Sequence, residues 1–336
     1  MAGPRTPCRI GDALCDIDTP ALLVDLDKLE ENLKTMPITL KEYSNLKLRP
    51  HAKSHKCPTL ARLQVTHGAV GVCVQKLTEA QAMVHGGVED VLVTNEHATI
   101  SIVVDSQQNI RDLSDAAQQM GVDIGVLVDV NVGMPRCGVL PGPEVVQLAS
   151  LINSLPNVTL KGLHCYQGAN QHIRKAEERA EATAAAVEKA ATALKALEDA
   201  EISCDYVTGG GTGTYMYEAK SGVFTEVQPG SYVFMDADYG RNFGEDGQPV
   251  HQFHQSLFVL ATVQSVPVYP NSDIVYHCGG DEHGVLVPPG KYKIGDQVWL
   301  IPGHCDPTVN LYDWLVGVRG GRVEAMWPIT GRGPGV

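Results

Sequence analysis

Residues 48–56, Leu-Arg-Pro-His-Ala-Lys-Ser-His-Lys, hold the most reactive side-chain chemistry in the chain. A lysine amine attacks a carbonyl only after losing its proton, and a partly desolvated position beside other cations promotes that loss. Lys53 sits among His51, His55 and Lys56. If a strand continues through the segment, residues 51, 53 and 55 project to one side and form a His-Lys-His cluster. The segment reads as a Schiff-base lysine or as a basic surface loop, and the rest of the chain decides between them.

A second centre is Thr208-Gly209-Gly210-Gly211-Thr212-Gly213-Thr214. Bare backbone turns successive amides toward one anion, and Thr208 and Thr212 add hydroxyl donors. No Gly-Lys-Ser/Thr follows and the dinucleotide glycine spacing is absent, so the run reads as a phosphate cradle of another kind. Arg136 lies in Asp-Val-Asn-Val-Gly-Met-Pro-Arg-Cys-Gly (129–138), and His164 and Tyr166 in Gly-Leu-His-Cys-Tyr-Gln-Gly (162–168). His172, in Gln-Gly-Ala-Asn-Gln-His (167–172), can accept the proton of a substrate hydroxyl.

Near the C-terminus, His304 and Asp306 stand two apart. In extended chain they share a face and bind one cation together, while Cys305 points away. One imidazole and one carboxylate leave positions for water and substrate, which suits Mn²⁺ or Mg²⁺ better than a closed zinc site. A thiolate site through Cys305 stays open. Glu282 and His283 are further candidates near that cation, and Cys73, Cys165 and Cys204 read as small buried residues.

The elements that position these residues alternate short β-branched runs with helical stretches, the pattern of a parallel sheet closed by crossover helices. Strands are expected near 46–53, 69–74, 90–94, 101–104, 124–130, 159–164, 204–208 and 224–227. Helices are expected over Lys28–Met36, Cys57–His67, Thr78–Gly86, Ile110–Met120, Pro143–Leu155 and Arg174–Ala200. Eight strands predict a (β/α)8 barrel, whose chemistry gathers at the C-terminal strand ends. Lys53, Arg136 and the glycine run then share one rim, and together they imply a phosphorylated aldehyde cofactor. From about residue 250 the runs 256–267, 272–278, 284–287 and 297–302 are strand-like with no helix between them. The expected organisation is an N-terminal segment (1–18) packed with a C-terminal β domain (249–336), around a barrel spanning 19–248.

Composition narrows the partners. A formal charge of -13 opposes a phosphate-backbone footprint, so nucleic acid is not expected. No apolar run approaches a membrane span. Nine cysteines at irregular spacing suggest neither a disulfide framework nor a zinc ribbon, and a reducing cytoplasmic home is the simpler expectation, with an organelle reached through a removed targeting peptide left open.

The chain resembles the fold-type III pyridoxal-phosphate enzymes, the alanine-racemase-like barrel group, and within it the D-threonine aldolase and D-serine dehydratase branch. The resemblance covers residues 15–330 and rests on segments 20–29, 49–56, 132–138, the glycine run, Glu-Val-Gln-Pro-Gly-Ser-Tyr-Val-Phe-Met-Asp (226–236) and Pro-Gly-His-Cys-Asp-Pro-Thr-Val-Asn-Leu (302–311). It implies that Lys53 carries pyridoxal 5'-phosphate, that Arg136 lies near its phenolic oxygen and that Tyr166 borders its ring. Gly210, Gly211 and Thr212, with Tyr232, would hold the phosphate. Gln228 stands where alanine racemases place an arginine against the pyridine nitrogen, and a neutral partner there would leave that nitrogen largely unprotonated.

The dehydratase branch carries His-x-Cys and the aldolase branch His-x-Asp; this chain reads His-x-Asp at 304–306. The resemblance thus implies metal-assisted cleavage of D-3-hydroxy amino acids, D-threonine giving glycine and acetaldehyde, by a homodimer. Alternatives are a D-serine or D-threo-3-hydroxyaspartate dehydratase, an amino-acid racemase, and a non-catalytic pyridoxal-phosphate-binding protein.

Overall fold

The computed structural model describes residues 5–93, 100–134, 136–264, 275–278, 284–287 and 292–333. Strand β1 (Ala21–Asp25) runs directly into helix α1 (Leu26–Leu40), with the Asp25 carboxylate accepting from the Lys28 amide as the cap. The chain then alternates β2 (Lys47–Leu48), α2 (Pro58–Thr66), β3 (Val72–Val74), α3 (Leu77–His85), β4 (Val91–Val93), β5 (Ile100–Val104), α4 (Gln107–Met120) and β6 (Ile124–Asp129). It continues through α5 (Pro143–Ser154), β7 (Val158–Cys165), α6 (Ala176–Asp199), β8 (Tyr206–Gly209), α7 (Tyr215–Ser221) and β9 (Glu226–Val227).

Strands β2 to β9 form one eight-stranded sheet in the order β2-β9-β8-β7-β6-β5-β4-β3, all neighbours parallel. A parallel bridge between His51 and Cys73, with the Cys73 amide donating to the Pro50 carbonyl at 2.8 Å, joins its ends into a barrel. Closure therefore falls on the segment that carries Lys53.

The helices follow from periodicity. In α4 the buried residues are Ile110, Leu113, Ser114 and Ala117, one face at helical spacing, and Gly121 ends the helix at φ +64°. Val126 and Val128 of β6 pack outward with Ile152, Leu148 and Ala190 of the surrounding helices, while Cys73, Leu92 and Leu127 make a small apolar cluster of their own.

The second sheet adds β10 (Leu257–Thr262), β13 (Gln297–Leu300), β14 (Trp314–Arg319) and β15 (Arg322–Pro328) to β1, in the order β13-β10-β1-β14-β15. Strands β11 (Val275–Cys278) and β12 (Gly284–Val287) pair with each other, and α8 (Cys305–Val309) precedes β14. The first strand of the chain is thus the middle of the last sheet, although a boundary at residue 19 assigns it to the barrel. Its buried Leu22 and Val24 join the core cluster of Leu29 and Leu315, Leu23 joins that of Phe258 and Val316, and β10 and β14 pair with its two edges. Residues 5–18 lie along the β14–β15 hairpin, where the Gly11 amide donates to the Val323 carbonyl at 2.8 Å.

The hairpin itself was not anticipated from sequence. Its turn is Gly320-Gly321, both at positive φ, a tight two-residue connection between β14 and β15. Among the described residues no helix is long and apolar enough to cross a membrane.

Candidate active site

Strand β2 ends at Leu48, and Lys53 lies in a 3-10 turn, Ala52–Ser54. His51 Nδ1 accepts from the Lys53 amide at 3.3 Å and caps this turn, so the strand alternation expected for 51, 53 and 55 does not hold. His55 is fully buried, accepts from the Cys57 amide at Nδ1 and faces Gln64 Oε1 at 3.1 Å through Nε2. Burial pushes His55 down to about 4 and His51 well below the ordinary imidazole range. Lys56 is a buried partner of Glu79. The expected cationic surroundings of Lys53 are therefore absent.

Instead Lys53 Nζ lies 3.6 Å from Asp306 Oδ2 and 5.9 Å from the centre of the Tyr166 ring. Burial pulls the pKa of Lys53 down, but Tyr166 and Asp306 outweigh it and hold it above the usual lysine value.

His304 caps α8 in extended conformation, and the helix begins at Cys305. The three residues are thus not continuous strand, and Cys305 does not turn away: its sulfur is buried 3.3 Å from Asp306 Oδ1 and 3.4 Å from Ser231 Oγ. His304 Nε2 still faces Asp306 Oδ2 at 3.8 Å. His304 Nδ1 is 2.8 Å from Asp236 Oδ2, which also accepts from the Cys305 amide. Asp236 Oδ1 accepts from the amides of Asp238 and Tyr239, and Met235 before it holds φ at +52°. A non-glycine residue in that region is strained, and here it aims Asp236 at the imidazole.

Two donors 3.8 Å apart can share an ion at about 2.1 Å from each, the reach of hard divalent cations. A second grouping, Asp236, His304 and Cys305, brings ligand atoms within 4.8 Å. It is the weaker set, because Asp236 is engaged by Nδ1 and burial pushes the Cys305 thiol well above its ordinary range. The His304 and Asp306 donors, one imidazole and one carboxylate, fit a divalent cation.

His172 ends a 3-10 turn (Ala169–His172) after β7, its Nδ1 2.5 Å from Asp238 Oδ2. Arg174 binds the other oxygen of Asp238 and also the Asn242 side chain. The His172 ring lies 6.5 Å from that of His304 at 90°, and 5.6 Å from that of Tyr239. His172, His304, Asp306 and Lys53 therefore line one mouth.

On the opposite side Tyr166 is flanked by the Arg136 guanidinium at 5.5 Å and the His164 ring at 6.4 Å, and His164 Nδ1 meets Asp129 at 2.7 Å. At the glycine run, Gly210 takes φ +71°, and a Cβ at Gly211 or Gly213 would come within 2.6 Å of Gln171 atoms. Thr212 Oγ1 is buried without a protein partner. A cradle that only glycine can line, with an unpaired hydroxyl in it, fits a phosphate group. Thr208 and Gln228 are bonded to each other in the barrel interior at 3.0 Å. Tyr232 is 1% exposed, its hydroxyl accepting from Gln64 at 3.3 Å and its ring against Phe253. Glu282 and His283 lie outside the described residues.

Sequence reasoning missed Asp236, Asp238 and Arg174. Asp236 stood at the end of a quoted segment, 226–236, but no local spacing linked it to His304.

A lysine at the closure of a parallel barrel, a glycine loop that fits a phosphate and a His–Asp pair from an appended sheet are the arrangement of a barrel enzyme of the pyridoxal-phosphate kind. The family profile described as alanine racemase, N-terminal domain, matches residues 24–238, and one described as a putative serine dehydratase domain matches 268–318. The chain is 41% identical to a D-threonine aldolase of Arthrobacter sp over 97% of its length and 96% of the relative's. It is also 41% identical to a 3-hydroxy-D-aspartate aldolase of Paracoccus denitrificans (strain Pd 1222), covering 95% and 93%. A crystal structure of D-threonine aldolase from Filomicrobium marinum superposes with a TM-score of 0.90 at 38% identity, over 97% of this chain and 99% of that one. The chain belongs to the alanine-racemase-like family of fold-type III pyridoxal-phosphate enzymes, in its D-threonine aldolase branch.

Proposed function

We propose that this protein cleaves the Cα–Cβ bond of D-3-hydroxy amino acids, with D-threonine giving glycine and acetaldehyde. Pyridoxal phosphate would be held by Lys53 and the 210–212 loop, and Mn²⁺ or Mg²⁺ by His304 and Asp306. The observation that carries this reading is the convergence on Asp306 Oδ2, which lies 3.6 Å from Lys53 Nζ and 3.8 Å from His304 Nε2. The amine that takes the cofactor and the donors that take the cation thus stand within the length of one small substrate. The activities of these relatives, on D-threonine and 3-hydroxy-D-aspartate, support the substrate class.

When bound, pyridoxal phosphate supplies a sink for the electron pair left at Cα, and a cation on His304 and Asp306 supplies Lewis acidity at the β-hydroxyl. The chain's own groups handle the protons. Asp238 binds Nδ1 of His172, which leaves Nε2 with the lone pair that removes the hydroxyl proton. Arg174 fixes Asp238 from the other side and keeps that tautomer in place. As acetaldehyde leaves, the Cα–Cβ pair stays with Cα, and the Lys53 ammonium can return a proton there to give glycine. Dehydration through a Cys305 thiolate is disfavoured, because that sulfur is buried against Ser231 Oγ and Asp306 Oδ1.

Incubation of the purified protein with D-threonine and with D-serine, each with and without Mn²⁺, tests this reading. Glycine and acetaldehyde formed only with the metal are expected. A 2-oxo acid and ammonia as the main products would identify a dehydratase instead.

A further inference from the structure

A chain of hydrogen bonds crosses the barrel interior and ends at Gln228, and its polarity is decided at the far end. Arg49 carries only donors. Its Nε donates to Glu226 Oε2 at 3.0 Å, and its terminal nitrogens donate to Asp90 Oδ1 at 2.6 Å and Oδ2 at 3.2 Å. Glu226 lies 2% exposed with its other oxygen, Oε1, 2.7 Å from Thr208 Oγ1. A carboxylate held by an arginine has only lone pairs to offer, so the Thr208 hydroxyl donates to it.

A hydroxyl has one hydrogen, and that of Thr208 is now used. Its contact with Gln228, at 3.0 Å, must therefore be one in which Thr208 accepts. Gln228 consequently presents its NH₂ to Thr208, and the orientation of its amide follows from the chemistry of Arg49 rather than from a free choice of rotamer. The opposite end, Gln228 Oε1, meets no donor among the described residues. Thr208 and Gln228 are 0% and 3% exposed, so bulk water does not scramble the order.

We propose that Arg49, Glu226 and Thr208 are positioning residues that present Gln228 Oε1 as a hydrogen-bond acceptor to the cofactor's ring nitrogen, so that this nitrogen carries a proton in the loaded enzyme. The inference rests on the pyridoxal-phosphate reading above and reverses the expectation that a neutral glutamine leaves the nitrogen unprotonated. An acceptor is satisfied only by an N–H, and a bare nitrogen would set two lone pairs against each other in a water-excluded site. A protonated ring draws more of the Cα electron pair, so the relay strengthens the sink that carbon–carbon cleavage needs.

The test is ¹⁵N NMR of the holoenzyme reconstituted with ring-¹⁵N pyridoxal phosphate, on the wild type, Thr208→Ser and Thr208→Val. The wild type and Thr208→Ser should show a protonated pyridine nitrogen with one-bond N–H coupling. Thr208→Val cuts the relay, frees the amide to turn, and should lose the coupling and shift toward the unprotonated position. An unprotonated nitrogen in the wild type overturns the proposal, and so does a Thr208→Val signal identical to the wild type. Failure of the wild type to form any lysine-linked chromophore overturns the cofactor reading itself, a result distinguishable from bound but unprotonated cofactor.

Discussion

Asp236 Oδ2 lies 2.8 Å from His304 Nδ1, across 68 residues of chain, and the same oxygen receives the Cys305 amide. Burial alone would raise the pKa of Asp236, but His304 and the amides of Tyr239 and Cys305 outweigh it and hold it below the usual carboxylate range. An ionised Asp236 fixes the His304 proton on Nδ1 and leaves Nε2 bare toward Asp306, the arrangement by which carboxylates tune metal-ligating histidines. Asp236→Asn keeps the shape but can turn its amide to either tautomer. Mn²⁺ affinity should fall about 10- to 100-fold, read by metal titration, with the cofactor absorbance unchanged.

Chelation should remove activity while leaving the cofactor spectrum intact, and Mn²⁺ should restore it. Asp306→Ala removes a charged ligand and should abolish cleavage at micromolar metal. Cys305→Ala should retain Mn²⁺-dependent activity within a few-fold, because its sulfur is buried against Ser231 and Asp306 in the core. Loss of metal binding in Cys305→Ala with retention in Asp306→Ala would favour the thiolate site.

His172→Ala removes the base assigned to the hydroxyl proton and should lower kcat about 10²- to 10⁴-fold with little change in KM. Asp238→Asn, which loosens the ring without removing it, should lower kcat less, again with little change in KM. Equal effects on kcat and KM in both variants would reduce the pair to a structural role.

Lys53→Ala should abolish the visible absorption of lysine-linked cofactor, since no other amine is expected to meet the aldehyde. Borohydride reduction followed by peptide mapping locates the attachment, and a reduced adduct elsewhere in this variant would sink the assignment.

Glu218 is buried beneath Gly210, with Oε1 accepting from Thr214 Oγ1 at 2.8 Å and Oε2 unpaired. Burial pushes its pKa up to about 7 from an ordinary 4.5. Between those values the folded protein holds a proton that the unfolded chain has released, so stability is full at low pH and declines as pH rises toward 7. Glu218→Gln cannot ionise. Relative to wild type it should gain up to about 3 kcal/mol between pH 5 and pH 8, measured by denaturant unfolding at each pH.

Much of the barrel was legible in local pattern. All eight strands and the six helices expected around them occur, and all but the first strand, which stops at Leu48 rather than running on to 53, lie within a few residues of their expected bounds, because β-branched runs and helical spacing are short-range signals. Lys53, the glycine run and the His304–Asp306 pair stood out as candidates for a similar reason, since each lies within a few consecutive residues. Local pattern failed at the β14–β15 hairpin, at the helical start that keeps 304–306 from running as strand, and at Lys53, where the cap from His51 Nδ1 broke the alternation on which the His-Lys-His cluster depended.

Tertiary structure alone decided which groups meet. Asp236 reaches His304, Asp238 reaches His172, Lys53 reaches Asp306, and Arg49 orders Gln228 through Glu226 and Thr208. Each of these contacts joins different elements, and periodicity within an element carries no record of its neighbours. The same holds for β1, whose buried Leu-Leu-Val run announces a sheet but not which one. The types of chemistry were set by short-range sequence, while their charges, tautomers and donor directions were set by burial and by partners brought from far along the chain.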